Sequence, residues 1–461
     1  MQTDAPSAYP TLAQQAAELA AGRCTSRQLT EAALARALDP AGEGARVFTR
    51  IDAARARALA QASDTLRAAG LARSPLEGLP LSIKDLFDVA GEVTSAGSAV
   101  LRDAPPATRN AAVIDRLLAA GAVIVGRTNM TEFAFSGLGL NPHHGTPRNP
   151  WGRRADGGGR IPGGSSSGAA VSVTDGMALA AIGSDTGGSV RIPAALCGLA
   201  GFKPTARRVP TAGVLPLSTS LDSIGPLAAS VACCALLDAV LAGEPALTPP
   251  AAPLDGARLA LPTTLVLDGL DDAVAAAFER ACAALSRAGA RITRLALPEF
   301  AELAELNARG SLTGAEAWAW HRPLLAAHGE RYDARVATRI RAGGAMGAAD
   351  YVDLLAARRR WIEAVSARLA PFDALLMPTV PRVAPDIDAT GASEEAYVEA
   401  NGLMLRNPSL INFLDGCALS LPCQRAGEAP VGLSLAAPAL ADRRLLSLGL
   451  AVEAALAPLR A

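Results

Sequence analysis

The sequence is poor in the residue types that metal and disulfide sites require. It has only four histidines, His143, His144, His321 and His328, and no H-E-x-x-H pattern, so zinc chemistry has little support. Its seven cysteines are an odd number without a C-x-x-C pair. This usage is typical of small buried thiols in a reducing compartment. We therefore predict a cytoplasmic protein without a metal site.

Long apolar runs and a surplus of one charge are also missing. The chain lacks the roughly 18 consecutive apolar residues that a membrane span needs. Residues 1–20 lack a basic segment followed by an apolar core, so no secretory signal is predicted. Because 43 basic residues balance 44 acidic ones, charge gives no support for a nucleic-acid partner. We predict a small-molecule substrate and no membrane partner.

The chain does contain enough apolar residues for a large core, since they make up 50% of its 461 residues. Short buried-strand patterns alternate with helical patterns, which predicts an α/β fold. We interpret residues 1–461 as a single domain. Residues 298–370 are mostly helical and are predicted to form a cap within it. Trp318 and Trp320 are candidates for lining a pocket under this cap.

One lysine has an unusual setting. The pattern Gly-Leu-Pro-Leu-Ser-Ile-Lys over residues 78–84 predicts a short buried strand that ends at Lys84. Most strand-end lysines are solvated. Here apolar residues surround Lys84 in the sequence, and burial in such a setting lowers the pKa of an amine. Lys84 is therefore a candidate general base.

Two glycine-serine clusters, residues 163–168 and 183–189, enclose a segment of small apolar residues. Residues 177–182 read as a strand that enters the second cluster, and a helix is predicted soon after Pro193. A glycine-rich turn after a strand directs backbone N–H groups to one point. The pattern lacks the lysine of a phosphate-binding loop, so an oxyanion hole explains it better. No cofactor is predicted.

Together these segments resemble the amidase signature family over nearly the whole chain. The landmarks are Gly126–Met130, Asn149–Trp151, Pro162–Ser166, Gly183–Pro193, Ala200–Pro204 and Pro378–Thr379. The resemblance implies an α/β fold in which a large mixed, twisted sheet is covered by helices on both faces. It also implies hydrolysis of an amide or related acyl–nitrogen bond through a covalent acyl-enzyme.

The resemblance further implies a Ser–cis-Ser–Lys triad, with Ser189 as nucleophile, Ser165 as cis-serine relay and Lys84 as base. It assigns the oxyanion hole to the backbone N–H groups of Thr186, Gly187, Gly188 and Ser189. Asp185 and Arg191 resemble the family's structural ion pair. The predicted pocket wall is formed by Phe133, Ala134, Phe135 and Ser136.

The substrate stays open at this point. Phe133 and Phe135 favour an apolar or aromatic amide, anilide or carbamate, although core packing explains both residues equally well. Residues 152–160 form a longer stretch than is usual before the relay serine, at the predicted pocket mouth. Three alternatives remain for the function. The first is a stand-alone amidase, monomeric or homodimeric. The second is the glutaminase component (the A chain) of a tRNA-dependent amidotransferase, and the third is a catalytically silent ligand-binding or scaffold member.

Overall fold

A computed structural model describes residues 9–460 and shows one mixed sheet of eleven strands in this part of the chain. The strands run in the order β1-β3-β2-β4-β6-β5-β10-β11-β9-β7-β8. Their bounds are β1 Phe48–Ile51, β2 Pro80–Lys84, β3 Val123–Thr128, β4 Ala180–Asp185, β5 Ala200–Lys203, β6 Ser223–Ala228, β7 Arg258–Pro262, β8 Arg291–Leu295, β9 Ala374–Pro378, β10 Cys417–Pro422 and β11 Gly432–Ala437.

Helices connect most of these strands, as the alternating sequence patterns predict, whereas no α-helix separates β5 from β6 or β10 from β11. Their bounds are α1 Leu12–Ala20, α2 Ser26–Ala37, α3 Gly44–Val47, α4 Ala53–Ala68, α5 Ala112–Ala119, α6 Ser167–Thr174, α7 Arg191–Cys197, α8 Val231–Ala242, α9 Asp272–Arg287, α10 Glu299–Leu306, α11 Leu312–His328, α12 Ala334–Ala342, α13 Ala348–Leu369, α14 Ile387–Gly391, α15 Glu394–Phe413 and α16 Asp442–Arg460. The predicted α/β class is confirmed.

Both faces of the sheet are covered. Every residue of β2, β4, β9, β10 and β11 is buried, although successive side chains of a strand point to opposite faces. Along β9, Leu376 packs in one apolar cluster with α8, α9 and α16, whereas Leu375 and Met377 pack in a second cluster with α13 and α15. The predicted arrangement of a mixed sheet between helices is therefore confirmed.

The parallel part of the sheet places the candidate site. β2 lies between β3 and β4 and is parallel to both, with Ile83 opposite Ile182 on β4. Lys84 is the last residue of β2. The second glycine-serine cluster, residues 183–189, begins within β4 and continues beyond the end of that strand. Because parallel strands end at the same edge, Lys84 and this cluster lie side by side.

Two sequence predictions need correction. Helix α7 begins at Arg191 and not after Pro193, since proline is tolerated in a first helical turn where backbone N–H groups have no intrahelical partner. The strand predicted at residues 177–182 is β4, which begins and ends three residues later. Within residues 9–460, no helix is both long enough and apolar enough to span a membrane.

Candidate active site

Lys84 is fully buried and bonds to two serine hydroxyls. Its Nζ donates to Ser165 Oγ at 2.7 Å and to Ser184 Oγ at 2.8 Å. Burial lowers the pKa of Lys84 to about 7, against the opposing effect of the Asp185 and Asp222 carboxylates. An amine with this pKa is present in both protonated and neutral forms near pH 7, and the neutral form can accept a proton.

Ser165 lies in the connection between β3 and α6, two residues before α6 begins. It follows a cis Gly164–Ser165 peptide bond. Its carbonyl accepts the N–H of Thr131 at 3.1 Å, and the next residue, Ser166, donates its N–H to Ser189 O at 3.3 Å. The two predicted catalytic serines are thus on adjacent, hydrogen-bonded backbones. Within the described residues, no hydrogen bond joins their two Oγ atoms.

The loop that presents Ser189 is fixed by Asp185. This buried carboxylate accepts the N–H groups of Gly188 at 2.9 Å and Val190 at 3.1 Å. It also forms a two-pronged ion pair with Arg191, at 3.0 Å to Nε and 2.9 Å to Nη2. Burial raises the pKa of Asp185, but Arg191 outweighs burial and holds that pKa well below its usual range.

The N–H groups of this loop differ in availability. Gly188 N–H already bonds to Asp185, whereas the hydrogen bonds of residues 9–460 include no acceptor for the N–H groups of Thr186, Gly187 and Ser189. Gly188 has a φ of 125°, and a Cβ there would lie 2.6 Å from the Cβ of Pro408. Glycine is therefore required at this position, and three of the four predicted N–H groups can still meet an oxyanion.

A cavity of about 280 Å³ opens over Ser189. Of the residues predicted to form a pocket wall, Ala134, Phe135 and Ser136 line this cavity. Residues from the helical segment 298–370 line another side: Leu303, Asn307, Ser311, Leu312, Thr313 and Arg339.

Other predicted pocket residues lie elsewhere. Phe133 points away from the cavity and packs on His321, with 4.4 Å between ring centroids, and on Tyr332. Trp320 joins this aromatic cluster, and neither it nor Trp318 lines the cavity. Phe133 and Ala134 both have positive φ, 50° and 61°, so the backbone makes a left-handed turn at these two residues. Alternation of apolar residues could not reveal this turn.

The segment 152–160 does not reach the cavity lining either. Its last residue, Arg160, forms a β-bridge with Asp386, and Ile387 N–H donates to Gly159 O at 2.9 Å. The longer stretch is therefore held against the start of α14.

Sequence reasoning missed four residues of the site. Ser184 is the second acceptor for Lys84, Arg339 brings a charge to the cavity, and Asn412 donates to Asp185 Oδ1 at 2.9 Å. Asp222 accepts the Thr186 hydroxyl at 2.5 Å. Only Ser184 stands within a recognised motif; the others are distant in sequence and carry no local signal.

The comparison with protein families agrees with this geometry. A model of the family described as Amidase matches residues 28–446, which is most of the chain. The chain belongs to the amidase family. This amidase is accordingly a hydrolase that acts on C–N amide bonds, as the sequence predicted.

Three relatives illustrate the range of the family. The chain is 39% identical over 446 residues to 2-amino-5-chloromuconic acid deaminase from Comamonas testosteroni, covering 94% of each chain. It is 33% identical to the A component of the glutamyl-tRNA(Gln) amidotransferase from Chloroflexus aggregans, covering 96% of this chain and 95% of the relative. A crystal structure of an amidase superposes with a TM-score of 0.86 at 35% identity, covering 97% of this chain and 100% of the other.

Proposed function

We propose that this amidase uses Ser189 as nucleophile, Ser165 as relay and Lys84 as general base. The observation that supports this proposal most directly is the 2.7 Å hydrogen bond from Lys84 Nζ to Ser165 Oγ at a fully buried position. Serine is a weak nucleophile until a base takes its proton. With none of the four histidines in this contact, the lysine of lowered pKa supplies that base.

The proposed reaction has two halves, formation of an acyl-enzyme with cleavage of the C–N bond and hydrolysis of that acyl-enzyme. Ser189 Oγ attacks the amide carbon while its proton passes to Ser165, which gives its own proton to Lys84. The carbonyl oxygen, now negative, accepts the N–H groups of Thr186, Gly187 and Ser189; such donors are worth about 3 kcal/mol each in a transition state. Lys84 returns the proton through Ser165 to the leaving nitrogen. Water then repeats the sequence on the acyl-enzyme and regenerates Ser189.

We further propose that the substrate carries a carboxylate besides its amide or carbamate group. Arg339 lines the cavity, donates Nη1 to Phe135 O at 2.6 Å and lies 4.7 Å from the centroid of the Phe135 ring. Burial lowers the pKa of Arg339, and none of the ion pairs within residues 9–460 includes it. A half-buried guanidinium without a counter-ion favours binding of an anion. The name of the Comamonas relative also gives an acid as its substrate.

Matched substrates test both parts of this proposal. We expect the mono-p-nitroanilide of succinic acid to be hydrolysed with a lower KM than the p-nitroanilide of butyric acid. Arg339→Gln should raise the KM of the succinyl substrate about 30-fold and that of the butyryl substrate less than about threefold, because only the first loses a charge-assisted bond. The matched control is Arg335→Gln, one turn away on α12, whose guanidinium is already paired with Asp333.

Different outcomes contradict different parts. If Ser189→Ala, correctly folded, still hydrolyses either anilide, the nucleophile is wrong. If Arg339→Gln raises the KM of both substrates equally, the proposed recognition of a substrate carboxylate is wrong, and the proposed amidase mechanism stands. A wild-type protein whose Ser189 does not react with a fluorophosphonate supports the catalytically silent alternative.

The amidotransferase relatives support a second candidate, a glutaminase that works within a larger amidotransferase. The same Arg339 would then meet the carboxylate of glutamine. Ammonia release from glutamine by the isolated chain, compared with the chain mixed with the other amidotransferase components, separates the two functions. We favour the stand-alone enzyme, as a monomer or homodimer, and a reducing cytoplasm, in which the seven free cysteines stay reduced.

A further inference from the structure

The nucleophile loop, residues 186–190 between β4 and α7, is connected by Thr186 to a second carboxylate, that of Asp222. Thr186 directly follows β4, and its Oγ1 donates to Asp222 Oδ1 at 2.5 Å, across 36 positions of sequence. The other oxygen of Asp222 accepts the N–H groups of Leu217 at 2.9 Å and Ser218 at 3.1 Å. One carboxylate thus bonds to the nucleophile loop on one side and to the segment 217–222 on the other.

The segment 217–222 is part of the substrate cavity, since Leu217 and Leu221 both line it. It is also tied to the helical cap. Glu316 on α11 accepts Ser218 Oγ at 2.6 Å and Ser220 N–H at 3.0 Å. Asp222 therefore stands where the pocket wall, the cap and the nucleophile loop meet.

The nucleophile loop consequently has two anchors. At its C-terminal end Asp185 holds Gly188 and Val190 through their N–H groups. At its N-terminal end the Thr186 hydroxyl is held by Asp222. The N–H groups that we assign to the oxyanion hole lie within this loop, so both anchors determine where they point.

We infer that Asp222 is a positioning residue, which orients the oxyanion N–H groups by holding the side chain of Thr186. This rests on the proposed function, because it requires that the loop binds an oxyanion. Donors in an oxyanion hole must be placed within a few tenths of an ångström, and a displaced donor costs rate and not ground-state binding. Loss of the bond should therefore lower kcat and leave KM nearly unchanged.

Asp222 also lies close to the base. It lines a small cavity of about 10 Å³ together with Ser184, whose hydroxyl accepts from Lys84. The charged groups that face this corner are Lys84 at the end of β2, Asp185 on β4 and Glu316 on α11. Burial raises the pKa of Asp222 to about 6, so it is ionised above that pH and favours protonated Lys84.

The test combines two single variants and their double. Thr186→Val removes only the hydroxyl. Asp222→Asn removes the charge and leaves one acceptor oxygen, which cannot serve both the Thr186 hydroxyl and the N–H groups of Leu217 and Ser218. We expect each to lower kcat about 30-fold with KM within about threefold, and the double variant to lose no more than either alone, because both break one interaction. Thr186→Ser should recover most of the loss seen in Thr186→Val. The control is Asp353→Asn on the exposed side of α13, with unchanged kinetics.

A pH profile separates the positioning role from a structural one. In Asp222→Asn the midpoint of the rate profile should move to lower pH, since Lys84 loses a carboxylate that stabilises its protonated form. In Thr186→Val the midpoint should stay, because the carboxylate remains. Two results would overturn the inference. One is a decrease in kcat in the double variant that equals the product of the decreases in the single variants. The other is a pH–rate midpoint in Asp222→Asn that equals that of the wild type.

Reaction of Ser189 with a fluorophosphonate needs no substrate and keeps the two proposals apart. A wild-type protein that is not labelled contradicts the proposed function. A wild-type protein that is labelled, with Thr186→Val labelled equally fast, contradicts only the role of Asp222. If Asp222→Asn does not fold by circular dichroism, Thr186→Val and Thr186→Ser decide the question by themselves.

Discussion

The protein has 43 basic residues, yet only two of them, Lys84 and Lys203, are lysines, and both are buried. Each lysine ends a strand of the same sheet. Lys84 ends β2, which has parallel neighbours, and Lys203 ends β5, which has antiparallel neighbours, with β4 and β6 between the two strands. Burial lowers the pKa of Lys84 to about 7 and that of Lys203 to about 8. Burial alone therefore does not distinguish a base from a structural lysine.

Their hydrogen-bond partners do distinguish them. Lys84 Nζ bonds to two hydroxyls, whereas Lys203 Nζ donates to the carbonyl oxygens of Pro204 at 2.8 Å and Gly416 at 2.7 Å. A hydroxyl can give a proton to a neutral amine, but a carbonyl oxygen can only accept one. Lys84 is thus placed for proton transfer, and Lys203 for joining β5 to the turn before β10.

Replacing each lysine by methionine should give the largest difference in activity between the two positions. We expect Lys84→Met to lower kcat/KM about 10³-fold or more, because the proposed general base is lost. Lys203→Met should keep kcat/KM within about fivefold but lower the free energy of unfolding by about 2 kcal/mol, because two buried carbonyls lose their donor. Steady-state kinetics and urea unfolding measure the two effects.

The two variants control one another. A loss of activity in Lys203→Met comparable to that in Lys84→Met, with the fold intact, would show that hydroxyl partners are not what marks the base. Similar destabilisation without loss of activity in Lys84→Met would contradict its role as base.

Replacing the two serines whose hydroxyls bond to Lys84 should lower the rate less than replacing Lys84 itself. Ser165→Ala removes the proposed relay and should cost about 10²-fold or more in kcat. Ser184→Ala should cost only about tenfold, because it removes an orienting bond and leaves the relay in place. Equal losses in the two variants would show that the relay is not specific to Ser165; kcat for one anilide substrate decides this.

Direct titration of the two amines gives the smallest but most specific signal. With ¹³C-labelled lysine, residues 9–460 contribute two signals, which Lys84→Met and Lys203→Met assign. We expect Lys84 to titrate near pH 7 and Lys203 near pH 8, both below the usual value for lysine. Since the base must be neutral, kcat/KM should rise with pH through the Lys84 midpoint. A rate profile that follows Lys203, or neither signal, would contradict the assignment.

Much of the fold followed from local patterns. The strand ending at Lys84 and the strand entering the second glycine-serine cluster were both predictable from periodicity and turn residues. Strands β1, β5 and β6 were not recognised. β1 and β5 have only four residues each, and β6 contains Gly225 and Pro226, which are turn signals in a sequence. The direction of Phe133 was missed because a positive φ at a non-glycine residue leaves no local pattern.

By itself the sequence determined the chemistry on offer: a lysine among apolar residues, two serine clusters and a glycine-rich turn after a strand, within an α/β chain. Only the tertiary structure decided which groups meet. It brought Lys84 to Ser165 across 81 positions, gave Gly188 N–H to Asp185, and placed Arg339 and Asp222 at the cavity and the nucleophile loop. The reason is physical: sheet order and helix packing join residues far apart in sequence, and no local pattern records those contacts.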